Sequence, residues 1–295
     1  MQGKSVKLVE WLVPMGFVLF AGWLTWHMPA FILDFAPPDS QSAFDQLSAA
    51  YKTNDVTPEM GGLFGGFADA VDWISVLGAL AMLVLGVLTV RRAPMEYEGW
   101  TAFDRLAVFI GRVTMMLTVV LTSVMLYEVV LRYVFEAPTL WANELSLWLA
   151  GFLFLTAGLY AMQQRSHIRI FLLYDMLPRG LQRVCDTLST LFIVMFAFFL
   201  IYGGYGEAFT KFYRWETFGT AFDPPIPATL KPMVLFIITM VAIQAVINLI
   251  ADWNNEAVIH TAADDIDADE LETLKRSVGV QDTNGAPQTD TSRHS

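Results

Sequence analysis

The chain has 295 residues, of which 55% are hydrophobic and 16% charged, whereas an ordinary soluble domain is about a quarter charged; the composition excludes a soluble globular protein and implies an integral membrane one. The net charge of -11 argues against nucleic-acid binding, which needs a basic face to displace counterions from phosphates. Much of the acidity lies after Asp252, where Asp264, Asp265, Asp267, Asp269, Glu270 and Glu272 cluster.

A helix needs about 20 apolar residues to cross roughly 30 Å of hydrocarbon, since each residue rises about 1.5 Å. The first segment that qualifies runs from about Leu8 to Leu33 and carries Pro14 and Pro29. Lys4 and Lys7 ahead of it also fit a secretory signal peptide. The run is longer than a signal core, however, and Phe31, Leu33 and Phe35 stand where small residues should precede a cleavage site. An uncleaved signal-anchor helix is therefore expected. In the acidic connection from Asp34 to Ala70, Ser42, Phe44, Asp45, Leu47 and Tyr51 predict a short surface helix. Gly61 to Phe67 reads as a flexible lead-in to a second span, Val71 to Val90.

The third span covers Leu106 to Leu131 and the fourth Leu145 to Met162; the fifth runs from Val184 to Gly204 and the sixth from Pro232 to Ile250. Cys185, the single cysteine, cannot make an internal disulfide and reads as a small buried hydrophobe. Beyond His260 the chain is polar and without aromatics, which predicts disorder. Lys4 and Lys7, the arginines between the second and third spans, and those between the fourth and fifth all belong on the cytoplasmic side by the positive-inside rule. The acidic Asp34 to Ala70 connection then lies outside, and both termini are cytoplasmic. The expected fold is an all-α, polytopic membrane protein of six transmembrane helices.

Charges inside spans are costly and invite a functional reading. Arg112, about two turns into the third span, is expected to snorkel to the headgroups. Glu128 and Arg132 are four apart, in the glutamate-first order that helices favour. Two readings stand for them: an ion pair that anchors the helix end, or a lock in which Arg132 also reaches Glu144, since a guanidinium can hold two carboxylates. Trp141, Trp148, Tyr127, Tyr133 and Phe135 fit either a headgroup-level aromatic belt or packing against a partner. Ala150, Gly151, Ala157, Gly158 and Ala161 would let another helix approach the fourth span closely. Only His27 among the four histidines could lie within a span, so a haem between two buried histidines lacks a second ligand. No metal cluster, phosphate loop or nucleophile constellation occurs in the sequence. No cofactor and no enzymatic activity are expected. Nor does a span carry acidic groups near its middle or a broken pair of half-helices; the chain reads as a transporter component without a transport site.

The run Leu131-Arg132-Tyr133-Val134-Phe135, then Pro138, Trp141 and Glu144, then Arg165-Ser166-His167-Ile168-Arg169-Ile170 resembles the small membrane subunit of tripartite ATP-independent periplasmic (TRAP) transporters, the DctQ-like family. Pro224-Pro225-Ile226-Pro227 and Lys231-Pro232 are similar to that family's entry into its last helix. The resemblance covers roughly Phe103 to Trp253. It departs from the family at Phe171, where an aspartate is usual, and says nothing of the first two spans. Together with the span count it divides the chain into three regions: a two-helix membrane extension over 1–100, a four-helix DctQ-like domain over 101–254 and an acidic tail over 255–295. It further implies a bacterial inner-membrane scaffold that braces a large permease subunit, with a periplasmic solute-binding protein delivering an organic acid or related solute for sodium-coupled uptake. Glu128, Arg132, Tyr133, Phe135, Trp141 and Glu144 would then anchor the outer hairpin, and Arg165, His167 and Arg169 the inner one, to membrane lipids or to the large subunit. The rivals are a self-contained six-helix carrier or channel and a membrane redox anchor.

Overall fold

Backbone hydrogen bonding decides where this apolar chain breaks, and the first break is at His27. In the computed structural model α1 spans Gln2–Trp26 and α2 spans Met28–Phe35. The sequence predicts one helix from Leu8 to Leu33, but Pro29 has no N–H for the carbonyl four residues back, and its ring crowds that carbonyl. The structure describes residues 2–35, 67–93, 96–97, 100–165, 174 and 177–254, with side chains from Val9 onward. The surface helix expected near Tyr51, the Gly61 to Gly66 turn and the tail after His260 lie outside the described residues.

The remaining elements are α3 (Ala70–Thr89), α4 (Ala102–Val134), α5 (Trp141–Gln163), α6 (Arg179–Tyr213) and α7 (Ile226–Asp252). Capping boxes start α3 and α4. The Asp69 carboxylate accepts from Val71 N and Asp72 N while Asp72 reaches back to Asp69 N; Thr101 and Asp104 exchange the same pair of bonds. At the start of α7 the N–H groups that Pro225 and Pro227 lack have no helical partner to lose. Pro232 lies inside α7, not at its start as the sequence predicts. Six helices, α1 and α3 to α7, are long and apolar enough to cross a membrane, and no strand occurs among the described residues. The protein is an all-α polytopic membrane protein, as expected.

The described residues fall in two units. The first takes in those up to Arg165 together with 184–254; the second takes in those from Tyr174 to Arg183. In the second, Gln182 Nε2 donates to the Tyr174 carbonyl at 3.2 Å and Arg179 Nη1 to Gln182 Oε1 at 3.3 Å. In the first, α1 packs on α3, α4 on α5 and α5 on α7, with smaller contacts of α1 and α3 to α4. Glycines mark the closest approaches. A Cβ on Gly111 of α4 would lie 2.4 Å from the Tyr160 ring of α5, and one on Gly151 of α5 2.3 Å from Leu230 of α7. Gly158, from the same small-residue stripe as Gly151, has open space instead. Ala30, Ile32 and Leu33 of α2 form a buried cluster with Trp215 and Ala228.

α6 differs from the others. At 35 residues it is about 52 Å long, and among the described residues no other helix packs along it to a comparable extent. Phe192, Phe196, Phe199 and Tyr202 are all more than half exposed. Cys185 is exposed as well, which corrects the expectation of a buried thiol: no helix among the described residues packs closely enough on this one to cover it.

Candidate functional site

The polar side chains gather in three places. At the junction of α4 and α5, Arg132 Nε and Nη2 donate to Glu128 Oε1 at 3.2 and 2.6 Å. The other Glu128 oxygen accepts from Thr139 N at 3.1 Å and from the Thr139 hydroxyl. Glu128 is only 3% exposed, so its carboxylate stitches the end of α4 to the residue that leads into α5. Arg132 does not reach Glu144. The Glu144 carboxylate turns to the α6–α7 connection, accepting from Thr220 Oγ1 at 2.6 Å and from the backbone N–H groups of Phe222 and Asp223 at 3.2 Å each. Three donors there satisfy it better than a guanidinium already held by Glu128, which overturns the two-carboxylate lock. Tyr133 and Phe135 are 77% and 66% exposed, and Trp141 lies against Tyr127 with ring centroids 6.0 Å apart. Trp148 is buried; its Nε1 donates to Thr229 Oγ1 at 2.8 Å, and Trp26 lies 5.8 Å away.

At the opposite end of α5, Arg165 grips Asp252, the last residue of α7, through Nε at 2.5 Å and Nη2 at 2.9 Å, a two-pronged geometry that suits a guanidinium. Its plane lies 3.4 Å over the Tyr97 ring, and Tyr97 OH donates to Asp252 Oδ1 at 2.9 Å. Burial, aided by that bond, pushes the Tyr97 hydroxyl above its usual range, with Arg165 opposing. The backbone N–H of Tyr97 donates to Gln164 Oε1 at 2.9 Å. One residue earlier, Glu96 accepts from Tyr160 OH and from Arg112 Nη2, both at 2.8 Å, and from Ala93 N at 2.7 Å. Arg112, which the sequence predicts to snorkel outward, is instead paired with a buried carboxylate, because Glu96, between α3 and α4, lies against it. Below this lies a buried amide chain: Gln244 Nε2 donates to Asp104 Oδ1 and Asn248 Oδ1 at 2.9 Å, and Asn248 Nδ2 to the Met162 carbonyl at 2.8 Å. His167 and Arg169, expected anchors beside Arg165, lie outside the described residues.

The third place is the break after α1. His27 Nδ1 lies 3.1 Å from Asp72 Oδ1, which also accepts from Trp23 Nε1 at 2.9 Å, and the Trp23 and His27 rings stack 4.2 Å apart. Burial pulls the His27 pKa below its ordinary 6.5, against the opposing pull of Asp72 and Asp69. Among the described residues no three histidine, cysteine or acidic side chains are placed to hold a metal. Sequence reasoning missed Glu96, Tyr97, Gln244 and Asp252 altogether. Thr101 and Asp104 did carry a readable signal, the threonine-x-x-aspartate spacing of a helix start.

Residues 121–252 match the family described as the DctQ component of tripartite ATP-independent periplasmic transporters. Over these residues the chain is similar to the DctQ family. No curated protein and no solved structure matches the chain. The matched stretch takes in the C-terminal part of α4 and all of α5, α6 and α7, with both the Glu128 and Arg165 clusters, and its family is a transporter component. Glu96, Tyr97 and Asp104 precede it in sequence yet bond into it, through Tyr160, Asp252 and Gln244.

Proposed function

We propose that the chain is the small, scaffold subunit of a TRAP-type transporter in the bacterial inner membrane. It works with a large permease subunit and a periplasmic solute-binding protein in sodium-coupled uptake of an organic acid or related solute, and is not itself an enzyme. The supporting observation is how the buried and half-buried carboxylates are used. Glu96, Asp104, Glu128, Glu144 and Asp252 each tie one element of the chain to another. A brace needs such ties, whereas a carrier needs acidic groups directed at its cargo. Both termini are cytoplasmic in this reading, which puts the Glu128 cluster on the periplasmic side and the Arg165 cluster, with His167 and Arg169, inside against headgroups or the large subunit. The bare aromatic face of α6 and the exposed Tyr133 and Phe135 suit a surface that the large subunit covers.

Reconstitution in liposomes under a sodium gradient tests this. The chain alone is expected to take up no solute, and uptake should appear once the large subunit and the loaded binding protein are supplied. Uptake by the purified chain alone would favour a self-contained six-helix carrier and sink the scaffold reading.

A further inference from the structure

The connection from α6 to α7 opens on a residue whose side chain disfavours the backbone it adopts. α6 ends in a Schellman turn: Trp215 N donates to the Phe212 carbonyl and Glu216 N to the Lys211 carbonyl, both at 3.0 Å. Trp215 thereby takes the left-handed position, with a φ of 46°, that glycine usually fills. A bulky aromatic is strained there. Its indole N–H adds to the strain, being buried with no hydrogen-bond acceptor among the described residues. Nothing within α6 offsets either effect. What does is the burial of the indole, which is 1% exposed and packs in a cluster with Ala30, Ile32 and Leu33 of α2.

We propose that α2, which precedes the matched residues 121–252, is a strap that holds the α6–α7 connection in a conformation the connection leaves when α2 lifts. The strap is fastened at both ends. Ahead of it Trp23 and His27 meet the Asp72 carboxylate, and beyond it Asp34 Oδ2 accepts from Ala68 N at 3.0 Å, next to the start of α3. The connection is gripped at two points. Trp215 lies at its start, and near its end the Phe222 ring stacks on Trp26, the last residue of α1, at 5.9 Å while Phe222 N reaches Glu144. Ala228, in the first turn of α7, shares the α2 cluster and donates its N–H to the Glu216 carbonyl at 3.3 Å. Between the two grips Phe218, Gly219, Thr220 and Ala221 are exposed. Lifting α2 wets the indole N–H and removes the apolar cover that sustains the left-handed backbone. Trp215 then relaxes to negative φ, the Glu216 bond to Lys211 breaks, and the exposed tip loses its fixed position. Two arrangements separated by one packed contact make a switch. It does not depend on the transporter role proposed above.

Amide hydrogen exchange of the full chain in mild detergent tests the strap. With α2 seated, the Glu216, Phe218 and Ala228 amides should exchange slowly. Ile32→Ala with Leu33→Ala should speed all three by about ten-fold or more, because truncating two buried aliphatic side chains favours the opening that exposes them. Leu33→Ala alone should act in the same direction, and decides the matter if the double variant does not fold. Val113→Ala, which trims the separate cluster around Phe109, should leave these amides unchanged. At position 215 glycine and alanine both delete the indole, but only glycine accepts left-handed backbone without strain. Trp215→Gly should therefore keep the Glu216 amide protected, and Trp215→Ala should not. Unchanged exchange after truncation of α2, an equal acceleration in Val113→Ala, or equal protection in the two position-215 variants would each overturn the proposal.

Discussion

At His27 burial and charge pull in opposite directions, and burial prevails. The unfolded chain therefore takes up a proton more readily than the folded one. The contribution of this group to stability is complete above about pH 6.5, its unperturbed value, and is lost as acid carries the pH down toward the lower folded value. The thermal midpoint in detergent should fall over that acid range, and His27→Gln should flatten this component of the profile. Asp104 makes a second test. Asp104→Ala removes the acceptor of buried Gln244 and half of the α4 capping box, so it should cost about 1 to 3 kcal/mol, measured as a lower unfolding midpoint. The contrast between these residues and Glu128 shows what could be read in the sequence. Glu128 and Arg132 are partners four residues apart on one helix, and helical geometry alone brings them together. The partners of Glu144 lie 76 to 79 residues away and that of Arg165 lies 87 away; no local rule connects them.

For the helices, counting apolar residues located all six membrane-length elements, because a bilayer imposes one length on every span. Counting failed where hydrogen-bond geometry outranks hydropathy, as at Pro29, and it cannot say which faces meet. The fourth-span glycines illustrate this, since Gly151 meets Leu230 while Gly158 meets nothing within 4 Å. Gly111 is about as tight as Gly151 and presses on Tyr160, the residue that holds Glu96. Gly111→Ala should cost about 1 to 3 kcal/mol through overpacking, whereas Gly158→Ala should be neutral or stabilising by up to about 1 kcal/mol through helix propensity; paired unfolding curves in detergent would show the difference. On α6, alanine at Phe192, Phe196 and Phe199 together should leave the folded yield of the isolated chain intact but reduce co-purification with a large permease subunit. An unchanged complex would exclude that face from the interface.

The orientation of the whole molecule is open to a direct test. Reporters that work only after export, fused at Tyr51 and at Arg214, are both expected to be active; inactivity at either would reverse the assignment of faces. The Tyr97 clip bears on how such a molecule is made. Its hydroxyl bonds to Asp252, 155 residues further along, and the Arg165 side chain that stacks on its ring grips the same carboxylate. A chain emerging from the ribosome amino end first must therefore insert α1, α3, α4, α5 and α6 before the residue that closes the clip has been synthesised. The tie is the last turn of a key in biogenesis: a chain stopped short of Asp252 has the same spans up to α6 but no acceptor for the Tyr97 hydroxyl, so an intact clip reports that α7 has been completed.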